Sequence, residues 1–153
     1  MAYFAGGIGG VGILLLGYAT RQGRFLPFYS SLLIVIALVY VLFGAMTGRS
    51  HVMIGESLIA AGFTAAAIVG VWWRPARTGA VLIAVGLIAH GLFDLMHHAI
   101  IGNPAVPAWW PPFCGAVDGV VGLWLLGLVA QGRVIAHTHH LPGIRAKIGN
   151  ERG

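Results

Sequence analysis

Apolar residues fall into five long blocks along the chain, separated by short breaks rich in glycine, proline and basic residues. Each block is about 20 residues, the length a helix needs to cross the hydrocarbon core of a bilayer. The pattern predicts an all-α, polytopic membrane helix bundle with spans at residues 2–20, 27–46, 51–73, 78–101 and 112–130. Pro27 and Pro112 stand where a helix tolerates proline, in its first turn. Residues 1–131 are expected to form the five-span domain, and residues 132–153 a basic cytoplasmic tail.

Composition points the same way. The chain is 58% hydrophobic and 8% charged, too few charges to cover a water-facing surface. Net charge is +5. The basic residues are scattered through loops and tail, which fits membrane orientation and not nucleic-acid binding. The first and third loops carry two Arg each and the tail carries four basic residues. The second loop has Arg49 alone and the fourth has none. The positive-inside rule therefore predicts an outer N-terminus and a cytoplasmic C-terminus. No Lys or Arg precedes the first block, so it is expected to be a retained span and not a signal peptide. Cys114 is the sole cysteine, so a disulfide framework is excluded.

Three of the four carboxylates lie inside spans: Glu56, Asp94 and Asp118. At about 1.5 Å per residue, all three fall roughly 8–10 Å below the predicted outer surface. The fourth span carries His90, Asp94, His97 and His98 on an arc of roughly 100°. His51 begins the third span, and Cys114 precedes Asp118 by one turn. An ionised group in the bilayer costs about 2.5–3.5 kcal/mol on insertion scales. No Lys or Arg falls within a predicted span to neutralise these acids.

A bound cation would neutralise them, and histidine with carboxylate suits zinc or non-haem iron. Glu56, Asp94, His97 and Asp118 are the expected ligand set, with His90, His98 and His51 as further ligands or supporting groups. Glu56 and Asp118 are also the candidate catalytic groups. Such a site would hydrolyse or oxidise a lipophilic substrate. The competing reading is a hydrogen-bond network that fixes helix packing, with Asp94 paired to His90 or His98. Cys114 reads as either a small core residue or a ligand.

Met53 and Met96 raise copper, which ranks below zinc and iron. Haem is disfavoured because only the fourth span offers interior histidines. Asp94-x-x-His97 matches half of the paired motif of di-iron bundles. The tail histidines His137, His139 and His140 are expected to be solvated or to bind a separate metal. A P-loop and a Gly-x-Ser-x-Gly elbow are both missing, which disfavours nucleotide-driven transport and serine hydrolysis.

Residues 28–43, the run AHGLFDLMHH at 89–98, and NPAVPAWWPPFC at 103–114 with Asp118 resemble a family of small, uncharacterised bacterial multi-pass membrane proteins. The resemblance spans roughly residues 24–126. It implies a bacterial inner-membrane protein and no particular chemistry. Beyond the lipid bilayer, the expected partners are further copies of the chain or a larger membrane complex. An accessory subunit of such a complex and an ion or proton pathway are the alternative functions. The clustering of the acids at one depth disfavours the pathway.

Overall fold

A computed structural model describes residues 1–135. Its helices are α1 (Ala2–Ala19), α2 (Leu26–Met46), α3 (Ser50–Trp72), α4 (Ala76–Ile100) and α5 (Trp110–Ala130). All five are long and apolar enough to cross a membrane. Each matches a predicted span to within two residues at either end. Residues 136–153, including His137, His139 and His140, lie outside the described residues.

Local chemistry sets the helix ends. Pro27 opens α2, and Pro111 with Pro112 open α5, where the missing N–H would have no intrahelical partner. Gly48, Gly102 and Gly132 follow α2, α4 and α5 with φ of 65°, 62° and 66°, the left-handed exit a side chain disfavours.

Helix α4 is the hub, packed against α5, α3 and α2, while α1 meets the bundle mainly through α5, with Gly17 against Phe28 of α2. Leu33, Ile83, Leu87 and Leu125 fill the centre. Leu15, Leu38, Leu58, Leu92 and Leu123 are exposed. An apolar outside and an apolar inside are what a lipid-solvated bundle requires, because lipid does not drive leucines inward as water does.

Close backbone contact therefore depends on small residues. Gly6 and Gly10 receive α5, and Gly122 receives α4. Gly119, by contrast, faces open space. The tightest seam near the polar residues is Gly91 against Gly115. A Cβ on either would stand 3.0 Å from the other's carbonyl oxygen. Ser30 adds a buried hydrogen bond from α2 to the Ala67 carbonyl of α3 (3.0 Å).

Candidate metal centre

The ends of α3, α4 and α5 that carry Glu56, Asp94 and Asp118 lie at the same end of the bundle, opposite Arg21, Arg24, Arg74, Arg77 and Arg133. All three acids are buried, with no more than 1% exposure. The three acids therefore lie at a similar level along the bundle. Their arrangement around the bundle axis differs from a single shared site.

The first group joins α4 to α5. His90 Nδ1 is 2.8 Å from Asp118 Oδ2 and 3.7 Å from Asp94 Oδ2. Cys114 completes it: one ligand atom from each of His90, Asp94, Cys114 and Asp118 lies within 4.8 Å of the others. Glycine makes this convergence possible. Gly91 sits one turn from Asp94 on α4, and Gly115 sits one turn from Asp118 on α5, so the two backbones nearly touch. Both Asp94 oxygens and Asp118 Oδ1 are buried without a hydrogen-bond partner. Such groups each cost roughly 1–3 kcal/mol, more when charged.

The second group joins α3 to α4 and is capped by the α4–α5 loop. His97 Nε2 donates to Glu56 Oε1 at 2.8 Å, and Asn103 Nδ2 donates to the same oxygen at 2.8 Å. Asn103 is fully buried, and its own Oδ1 accepts the Ala105 N–H at 3.0 Å. A loop residue is thereby drawn into the bundle as the lid of the Glu56 site.

Tyr40 of α2 stands between the groups. Its ring centroid is 4.5 Å from that of His97 and 5.8 Å from that of His90. Its hydroxyl approaches Asp94 without reaching hydrogen-bond geometry. Phe63 closes the other side of His90 at 4.8 Å. The gap bordered by Tyr40, Glu56, Phe63 and His90 is too narrow for a water molecule.

The expected quartet of Glu56, Asp94, His97 and Asp118 thus divides between two neighbouring groups. Asp94 and His97, the di-iron-like pair, fall on opposite sides of that division. His90 and Cys114 enter the first group beside the two aspartates. His51 and His98 belong to neither and are exposed. His98 lies at the edge of the α4 arc, and His51 is about 140° around α3 from Glu56.

Asn103 and Tyr40 are not among the residues the sequence points to. Tyr40 lies six residues before the end of α2, hence about 9 Å deep, and the depth argument applied to acids would have found it too. Nothing in span periodicity marks Asn103, because its role arises from how the loop folds back. No protein-family model, curated protein or solved structure matches the chain.

Proposed function

We propose that this integral membrane protein binds one zinc ion through His90, Asp94, Cys114 and Asp118, near the outer face of a bacterial inner membrane. The observation that carries the reading is the set of three unpartnered carboxylate oxygens inside a buried four-donor group. A purely structural network leaves Asp94 with only the 3.7 Å approach of His90 Nδ1 and the looser approaches of the Tyr40 hydroxyl and the Cys114 thiol, because His90 Nδ1 already serves Asp118 at 2.8 Å. A dication neutralises both carboxylates where lipid surrounds the bundle and no basic span residue is at hand. Imidazole nitrogen, carboxylate oxygen and thiolate sulfur are all zinc ligand types. Four protein donors make a closed site, so the ion's first role is to clamp α4 to α5.

The test is metal analysis of the purified full-length chain after chelation and reloading with zinc. About one zinc per chain is expected. Asp94→Asn, Asp118→Asn and Cys114→Ser should each weaken binding at least tenfold, while His98→Ala leaves it unchanged. Cobalt in place of zinc should give a thiolate charge-transfer band that Cys114→Ser abolishes. Circular dichroism of each variant separates lost binding from lost folding. A folded chain that holds no zinc, or an Asp94→Asn variant that binds normally, overturns the proposal. Iron in place of zinc overturns the choice of metal.

One observation favours a catalytic extension of the same site. Glu56 Oε2 is buried and unpartnered, and Glu56 shares with His90 the narrow gap beside the metal group. That gap is closed to water, so hydrolysis of a lipid ester or amide would require Cys114 to leave the ion and the gap beside Glu56 to widen enough to admit a water, whose proton Glu56 would accept. Loss of zinc-dependent lipid hydrolysis in Glu56→Gln, with zinc retained, is the expected result. Equal turnover by the variant removes this reading.

A further inference from the structure

At the opposite end of the molecule, a cleft of about 540 Å³ opens between α1 and α5. Leu14, Trp124 and Leu128 line its apolar part. Arg21 and Arg24 of the α1–α2 connection and Arg133 after α5 line its mouth. The three arginines are brought together by the backbone. Ile135 donates to the Arg24 carbonyl at 2.7 Å, and Leu26 donates to the Ile135 carbonyl at 3.1 Å. This short parallel bridge ties the segment after α5 to the loop after α1.

Arg21 is also the one described non-glycine residue with positive φ, at 60°. It stands where Gly48, Gly102 and Gly132 leave their helices. An L-residue pays roughly 1–2 kcal/mol for that conformation, and here the strained position carries a guanidinium at the cleft. The three intramembrane acids lie in the polar groups at the far end of the bundle. Among the described residues, therefore, no carboxylate pairs with this cluster.

A triple positive charge above an apolar slot matches one chemistry: an anionic headgroup on a hydrocarbon chain. Basic pockets between spans on the arginine-rich side are a recognised form of lipid binding. We propose that this cleft binds one anionic phospholipid. Its phosphate lies among Arg21, Arg24 and Arg133, and an acyl chain runs along Leu14, Trp124 and Leu128. The inference is independent of the metal reading.

Native mass spectrometry of the full chain in detergent, titrated with phosphatidylglycerol or phosphatidylcholine, tests it. Phosphatidylglycerol should be retained at least tenfold more tightly. The Arg21→Gln/Arg24→Gln/Arg133→Gln variant should lose that preference, because about 1 kcal/mol per basic residue is roughly fivefold each. Its thermal unfolding should be unchanged, since all three side chains are exposed. Phosphatidylglycerol with brominated chains should quench fluorescence in the wild type beyond the quenching seen in Trp124→Phe.

Equal retention of the two lipids, or full preference in the triple variant, overturns the proposal. The second result would place the lipid preference outside these three arginines. Displacement by glycerol phosphate at the concentration of the lipid would show a free-anion site and also overturn it.

Discussion

Replacing Gly91 by alanine adds one methyl group at the seam that builds the metal centre. The new Cβ would stand 3.0 Å from the Gly115 carbonyl oxygen and 3.2 Å from Asp118 Cβ. Relaxed contacts lie at about 3.5–4.0 Å, so α4 and α5 must part by roughly half an ångström. His90 and Asp94 are on α4, Cys114 and Asp118 on α5, and the separation pulls the two halves of the ligand set apart. Zinc sites tolerate about 0.2 Å in ligand distance. The rotamers of four buried side chains cannot absorb the rest freely, and zinc affinity should fall at least tenfold.

Stability should respond differently. Overpacking costs about 1–3 kcal/mol, and exchanging glycine for alanine within a helix returns about 1 kcal/mol. The zinc-free variant should therefore lose no more than about 2 kcal/mol. Gly119→Ala is the control: it lies beside Asp118 on α5, and its Cβ would meet nothing within 4 Å. Competition with a fluorescent zinc chelator reads affinity, and thermal unfolding in detergent reads stability. Gly91→Ala with zinc affinity within twofold of Gly119→Ala would refute the claim that helix approach sets the site.

Two further substitutions address the second group and the tyrosine between the two. Glu56→Ala should destabilise the fold by about 2–5 kcal/mol, since it strands the His97 and Asn103 donors in the interior. Glu56→Gln, which keeps an accepting oxygen, should cost less than half as much, and thermal unfolding of the pair decides; equal losses would show that the hydrogen bonds contribute nothing. Tyr40→Phe should leave the unfolding temperature unchanged or raise it, because the buried hydroxyl has no hydrogen-bond partner, whereas Tyr40→Ala should cost about 3–5 kcal/mol by removing the wedge between His90 and His97. A drop in the phenylalanine variant comparable to the alanine one would mean that the hydroxyl has a role the packing does not reveal.

The polar groups gain their organisation from a hub helix with two different neighbours. On α4, His97 turns toward α3, while His90 and Asp94 turn toward α5. One stripe of ionisable residues thereby serves two interfaces. Loop residue Asn103 seals one of them. The other is left with more carboxylate oxygens than donors, and that imbalance is what a cation would correct.

Much of this was legible in the residues alone. Lipid imposes long apolar helices, so hydropathy located all five spans to within two residues at each end. The rise per residue then placed Glu56, Asp94 and Asp118 at one level, because depth along a helix is a matter of counting. Rotation around the bundle axis is not. Which helices neighbour α4 depends on where glycines permit close approach, as at Gly91 and Gly115, and a list of spans contains no such information. Only the packed bundle could therefore separate Glu56 and His97 from Asp94 and Asp118, bring Cys114 to His90, leave His51 and His98 outside, and gather three arginines from distant segments around one cleft.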